Sequence, residues 1–508
     1  MSNTVELPSS SEYNTRVFRT PVEPHTVWIN PLQTSQLHVL FPLPLPGTDR
    51  INFEISYTNT LAGPLDTTRL IKAFQDALTY YPHASGRLRI KGNDWTIGQG
   101  KRGVPLTFAE IDEPFNHYEY LEAAPSELID TCIGDISGAI QPSWDEPLLR
   151  VRVTYCRKSN ETYIGWSSSH MLGDGEFVYQ FLYAWSQYYQ GKALLFGAPT
   201  YEKYRTAPTP ELNDNPATAE FVERYLQHLK TLYPMDKWMG MVGDVIGSTS
   251  QVDMMFSAHQ IAQFRAVADM HPGRKGTHAS AQDAVSAYLI TTLNRVLPTP
   301  IIKVSSMLSY RGIKNPTDLK ADDWRIPGGL ALGNAIFQAF TPTLPAEQTS
   351  SIGAVALAIR QSLKDTRKYD HVKRIVAVSE PIWMRQSTEQ KEHKFWSDDG
   401  TFVINSMPKV NLNQLHFGYG PERTRVVLYG AFAGYARFFQ APPVKLPNGD
   451  WEANDGAMVM CVRVPTEVKD KFLARIAEDL NSGAFPQNLM WREREAQAKA
   501  AGPEKARL

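Results

Sequence analysis

The sequence predicts a mixed α/β protein built in two halves, and three observations lead there. The chain has 508 residues, more than one hydrophobic core usually serves. Strand-like and helix-like periodicities alternate along it. Between the halves, GAPTYEKYRTAPTPELNDNPAT is rich in proline and polar residues and poor in core material, which marks a boundary near 200–215. The expected division is residues 1–205, a crossover linker at 206–250, and a C-terminal half at 251–508.

The elements follow in order. LDTTRLIKAFQDALTYY, Leu65–Tyr81, reads as a helix because Leu70, Ile71, Phe74, Ala77 and Leu78 recur at helical spacing. Asp66 can cap its start and Pro82 stops it. RLRIKGNDWTIG reads as a hairpin turning at Gly92-Asn93-Asp94. RVRVTYCR and ETYIGWSSS are two further strands joined at Lys158-Ser159-Asn160. Glu176–Gln190 reads as a helix with Phe177, Phe181, Leu182, Trp185 and Tyr189 on one side, stopped at Gly191. In the second half, Ser280 and Asp283 form a capping box opening a helix whose Val285, Leu289, Leu293 and Val296 face one way. GAMVMCVRVP reads as a strand, and Thr466–Asn481 as the final helix, carrying Val468, Leu473, Ile476 and Leu480. No repeat with a period of 20 to 50 residues is visible.

Composition narrows the function classes. Apolar residues make up 42% and charged residues 21%, the balance of a globular protein. A net charge of −1 without a long basic block speaks against a nucleic-acid or anionic-membrane surface. Three cysteines, Cys132, Cys156 and Cys461, have no CxxC spacing and argue for a reducing compartment without a zinc cluster. No metal is expected. The N-terminus lacks a basic start followed by an apolar stretch, and GGLALGNAIFQAF is far below the ~20 residues that span a bilayer. These features predict a cytoplasmic protein. Ala506-Arg507-Leu508 loosely resembles a peroxisomal address; the alternative is a charged tail, REREAQAKAAGPEKARL, frayed at its end.

GxSxG, GxxxxGK[ST], HExxH and a post-strand GxGxxG are all missing. What remains is SSSHMLGDGEFVYQ, where a strand delivers His170 in front of a turn and a helix. Asp174 can cap that helix and hold the turn, and Gly175 lets backbone approach whatever lies beside the imidazole. A neutral histidine can take a proton from a hydroxyl or amine at physiological pH. Spacing alone leaves two readings open, a general base or a structural histidine.

His170-Met-Leu-Gly-Asp174-Gly175 resembles the HxxxDG signature of the BAHD acyl-CoA-dependent acyltransferases. That family's second signature, DFGWG, is similar to His416-Phe417-Gly418-Tyr419-Gly420. YYPHASGRL at 80–88, SAQDAVSAYLI at 280–290, Ser309-Tyr310-Arg311, LALGNAI at 330–336 and Asp455-Gly456 resemble further family segments in the same order. The likeness spans roughly residues 30 to 485, with long loops and an altered second motif that look more like a fungal, secondary-metabolite branch.

The resemblance implies two chloramphenicol-acetyltransferase-like α/β domains with a solvent channel at their interface. It implies acyl-CoA as co-substrate, a small hydrophobic acceptor bearing a hydroxyl or, less readily, an amine, and a monomer with no bound cofactor. His170 is then the general base and no covalent acyl-enzyme forms. Asp174 is expected to pair with Arg311, and Gly175, Gly418 and Gly420 to shape the two motifs. Ser280 and Asn334 are expected on the CoA side. Tyr419 replaces the family's tryptophan, either as an oxyanion donor or as a packed aromatic. His416 replaces an aspartate that orders its loop. Two alternatives are a condensation-type enzyme using a carrier-protein thioester, where Ser169 stands in place of the first histidine of HHxxxDG, and a catalytically inactive binding protein on the same fold.

Overall fold

The computed structural model describes residues 24–32, 41–51, 54–112, 145–201, 203, 208–211, 215–274, 276–393, 400–407, 410–421, 424–428, 434–446, 448, 450–481 and 485–501. Cys132 and the tripeptide 506–508 lie outside these. Twelve strands make two six-stranded mixed sheets. They are β1 His25–Ile29, β2 Glu54–Leu61, β3 Val104–Ile111, β4 Leu149–Cys156, β5 Glu161–Ser169 and β6 Thr249–Phe256. The remainder are β7 Lys303–Ser309, β8 Ile336–Phe340, β9 Thr401–Ser406, β10 Thr424–Leu428, β11 Tyr435–Gln440 and β12 Met458–Pro465.

The first sheet runs β1-β3-β4-β5-β2-β10 and the second β6-β12-β11-β9-β7-β8. Period-two alternation sets the inner face of the first sheet: Leu149, Val151 and Val153 enter its core while Arg150 and Arg152 point to the other face. Helix α1, Thr67–Tyr80, and helix α2, Gly175–Tyr189, cover that inner face. Phe74 of α1 meets Phe181 and Trp185 of α2 edge-on, and the Trp185 indole donates to the Leu70 carbonyl at 3.1 Å. All nine residues of β5 are buried, so the residue after it emerges deep inside the molecule.

Local signals translate directly. Asp66 caps α1 by accepting from Arg69 N at 2.9 Å. The hairpin pairs Arg87–Lys91 with Asp94–Gly98 across Gly92 at φ +60°. Ser280 and Asp283 form a reciprocal capping box at the start of α3, Ala281–Leu293. Val296 lies beyond the end of that helix, so the predicted stripe stops one turn early.

Three features lie beyond what local periodicity indicates. Within the 206–250 segment, Pro216–Tyr225 is helical, and Phe221, Val222, Leu226 and Leu229 pack with Val372, Ile375 and Val378 in a third core. The described part of the charged tail belongs to a helix, Gln487–Ala501, pinned where Ser351 Oγ donates to buried Glu493 at 2.7 Å. The C-terminal half also reaches back into the first. Leu412, Leu415 and Phe417 join the first core, and β10 extends the first sheet by pairing antiparallel with β2.

Candidate active site

His170 opens a short 3-10 turn, His170–Leu172, directly at the end of β5. Ser169 caps it, its hydroxyl accepting from Met171 N at 3.2 Å. Gly173 carries φ +142° and ψ 179°, a conformation open essentially to glycine, and a Cβ there would sit 2.8 Å from Cβ of Phe177. Asp174 then caps α2 by accepting from Glu176 N at 3.1 Å. What lies against Gly175 is the methyl end of Met407, which follows β9. The turn is therefore fixed by its own sequence and pressed on by the second sheet.

Asp174 turns its other oxygen to Arg311, 2.7 Å away, and both side chains are buried. That oxygen also accepts from Ala335 N at 3.0 Å. Burial works to raise the carboxyl, but the Arg311 charge, its hydrogen bond and the Ala335 N–H together hold it below the ordinary range. Arg311 spends its remaining donors on the Ala331 carbonyl at 2.9 Å, the Gly333 carbonyl at 2.6 Å and Glu176 at 3.3 Å. The pair thus ties the turn to the 331–335 segment.

That segment delivers Asn334 to the imidazole. Asn334 Oδ1 lies 2.8 Å from His170 Nδ1. The amide cannot be reversed, because its Nδ2 donates to two backbone carbonyls, Thr48 at 3.1 Å and His170 at 2.9 Å. With Oδ1 facing the ring, Nδ1 carries the proton and Nε2 is the basic nitrogen. Burial lowers the His170 pKa, opposed by the Asp174 charge and the Asn334 hydrogen bond and reinforced by the Arg437 cation. His83 buttresses the turn from the other side, its Nε2 3.3 Å from the Leu172 carbonyl and its Nδ1 3.1 Å from the Tyr201 hydroxyl. A neutral, basic imidazole held in this way is equipped to abstract a proton from a bound hydroxyl.

The second motif is elsewhere. His416 Nδ1 accepts from Gly418 N at 3.1 Å and Gly420 N at 3.3 Å, and both glycines have positive φ, +96° and +93°. By accepting these two N–H groups, a neutral imidazole can order the loop as a carboxylate would. Phe417 fills the first core against Trp185 and Tyr189. The Tyr419 hydroxyl donates to the Pro64 carbonyl, and a Cβ at Gly63 would strike the phenol ring. Thr162 holds the same turn, its hydroxyl donating to the Gly63 carbonyl at 2.7 Å. Thr162 precedes His170 by eight residues along the extended strand β5, which at a strand's rise is about 25 Å. The phenol thus donates to a backbone carbonyl at the far end of the strand, which favours the packed-aromatic reading of Tyr419 over the oxyanion reading.

The family model described as Transferase family matches residues 29–453. The chain belongs to the BAHD transferase family. Vinorine synthase is similar in structure, with a TM-score of 0.58, 16% identity, and coverage of 89% of this chain and 96% of that one. F. sporotrichioides TRI101 complexed with coenzyme A and T-2 gives 0.58, 12%, 86% and 97%. F. graminearum TRI101 complexed with coenzyme A and deoxynivalenol gives 0.58, 13%, 87% and 98%. A search of curated sequences found no match. The likeness shows the shared two-domain, chloramphenicol-acetyltransferase-like α/β fold, and the family makes the chain an acyltransferase.

Within this BAHD chain, the two residues expected on the CoA side diverge. Ser280 is built into the capping box of α3, where its hydroxyl accepts from Asp283 N at 3.1 Å. Asn334 lies against the imidazole, its side chain bonded to His170 and Thr48. Asp49, Lys203, Gly173 and Arg437 were not singled out by sequence reasoning. Only Gly173 carried a signal, as a glycine inside the motif. No helix among the described residues is long and apolar enough to cross a membrane, and among them no group of histidine, cysteine or acidic side chains is arranged to hold a metal ion.

Proposed function

We propose that this BAHD acyltransferase uses acyl-CoA to esterify a hydroxyl of a small hydrophobic metabolite, with His170 as general base and no covalent acyl-enzyme. The carrying observation is the 2.8 Å contact between Asn334 Oδ1 and His170 Nδ1, with the amide oriented by two carbonyls. It leaves Nε2 as the atom that receives the acceptor's proton. As that proton moves, the acceptor oxygen attacks the thioester carbonyl. The tetrahedral intermediate then expels the CoA sulfur, which takes the proton back from Nε2, so ester and free thiol leave and the imidazole is restored. Holding both substrates together replaces the acyl-enzyme by proximity, and the burial of His170 limits hydrolysis. TRI101 crystallised with coenzyme A together with T-2 or deoxynivalenol supports the choice of donor.

The reading includes a channel between the two domains, Ser280 near the CoA end at the start of α3, and Asp174, Gly175, Arg311, Gly418 and Gly420 as structural supports. It also includes a monomer, a cytoplasmic or peroxisomal location, and a place in the fungal secondary-metabolite branch. The test is thiol release from acetyl-CoA and longer acyl-CoAs with a panel of alcohols and amines, products being identified by mass. Release with alcohols that disappears in His170→Ala is the expected result. Silence with every acyl-CoA, alongside turnover of a carrier-protein thioester, would overturn it.

A further inference from the structure

We propose that the buried Asp49–Lys203 ion pair is a positioning device that determines which nitrogen of His170 carries the proton, acting through Asn334. The inference rests on the reading of His170 as a general base, and its test is independent of turnover.

The two ions grip one residue. Lys203 Nζ lies 2.8 Å from each oxygen of Asp49. Asp49 also accepts from the Asn334 backbone N–H, and Lys203 donates to the Asn334 backbone carbonyl at 2.5 Å. The Tyr310 hydroxyl reaches the same carbonyl at 3.3 Å. The residue before Asp49 completes the grip, since the Thr48 carbonyl accepts from Asn334 Nδ2. Thr48 in turn is held by Glu380, which accepts from Gly47 N and, at 3.2 Å, from Thr48 N. Asn334 is therefore seized at its N–H, its C=O and its side chain by residues that come from three separate parts of the chain.

Such a pair is costly. Asp49 is fully buried and Lys203 is 8% exposed, and burial raises the Asp49 carboxyl above its usual range despite the lysine beside it. Two apolar side chains of similar volume commonly serve stability as well as a buried ion pair does, whereas fixing a unique arrangement is the best-attested use of one. Here each ion has a second task on the backbone of the same residue, Asp49 at the N–H and Lys203 at the C=O of Asn334. If Asn334 shifts or turns, Oδ1 leaves Nδ1, the imidazole loses its preference between tautomers, and Nε2 is a base for only part of the time. Loss of the correct tautomer without loss of geometry is damaging in the Ser-His-Asp template. Asp49 and Lys203 are positioning residues in this scheme, since neither touches His170.

The test uses ¹⁵N-histidine-labelled full-length protein without substrate, the His170 resonances being assigned by their loss in His170→Gln. Wild type should show Nδ1 protonated and Nε2 bare. Lys203→Met should show a mixture of tautomers. Its kcat for acyl transfer should fall about 10–100-fold, the size of effect seen for the outer partners that orient metal-bound histidines, with KM for acyl-CoA nearly unchanged. Lys203→Arg, which keeps a cation able to reach both partners, should restore most of the tautomer signal. If Lys203→Met fails to fold because Asp49 is stranded, Asp49→Asn with Lys203→Met removes both charges and should show the same mixture. A folded variant without the lysine whose His170 remains wholly Nδ1-protonated would overturn the proposal. If wild type shows the expected tautomer and Lys203→Met loses it, yet neither turns over any acyl-CoA, the positioning role stands and the acyl-CoA reading fails.

Discussion

The two histidine-led, glycine-rich motifs use the same ring atom in opposite ways. In the 170–175 turn, Nδ1 of His170 donates to a side-chain oxygen 164 residues away. In the 416–420 loop, Nδ1 of His416 accepts from two backbone N–H groups within four residues. One ring is left with a basic Nε2 deep in the protein; the other is a cap for a loop whose Phe417 and Tyr419 anchor the C-terminal half onto the first sheet. A histidine becomes a base or a staple according to what faces Nδ1, and that partner is supplied by the fold.

The comparison is broken most forcefully at His170. His170→Ala should lower kcat by ~10²–10⁴ with little change in thermal stability, whereas the matching change at His416 should leave kcat within a few-fold of wild type. Steady-state kinetics and thermal melts on both variants check this. An equal loss of kcat in His416→Ala would end the distinction between the motifs.

Next in size is the tie behind the first turn. Arg311→Ala strands the buried Asp174 carboxylate and should cost ~3–5 kcal/mol in chemical denaturation, with activity falling as a consequence. Asp174→Asn with Arg311→Met should recover much of that loss, because no unpaired charge remains.

Smaller effects belong to the second loop. His416→Ala removes the acceptor for two N–H groups and should cost about 1–2 kcal/mol, a range typical of lost caps, while His416→Asp should be close to neutral, since a carboxylate accepts the same pair. Tyr419→Phe keeps the ring but leaves the Pro64 carbonyl without its donor, for ~0.5–1.5 kcal/mol and an unchanged kcat. A large fall in kcat in Tyr419→Phe would return the phenol to the catalytic centre.

The acid limb of kcat/KM sharpens the contrast without mutation. Burial lowers the His170 pKa, so Nε2 stays unprotonated below the usual ~6.5 of histidine. Activity should persist as pH falls through that value and be lost only once the lowered folded pKa is passed. A limb centred above 6.5 would contradict the burial of the base.

What the sequence determined by itself was whatever depends on neighbours within about a turn of helix or a strand's length. Asp66, Asp174 and Ser280 cap their helices as their spacing indicates, because a cap needs only a short side chain and an N–H two or three residues on. The strand that ends at His170 was legible from its run of β-branched, aromatic and small residues, and the family likeness supplied the Asp174 and Arg311 pairing. The tertiary structure alone decided the rest. Asn334 reaches the imidazole, and Asp49 and Lys203 grip Asn334, across 131 to 285 residues of chain. No periodicity encodes which distant amide will face a ring, since that follows from how two sheets and a crossover dock. Tyr419 was ambiguous for the same reason: an aromatic hydroxyl looks identical in sequence whether it faces a reacting carbonyl or Pro64, and only the pairing of β2 with β5 fixes which end of the strand it occupies. The helix at 487–501 was hidden because its charged face dominates its composition, while the few residues that hold it, Leu489, Glu493 and Ala496, acquire meaning only against the surface they are buried on.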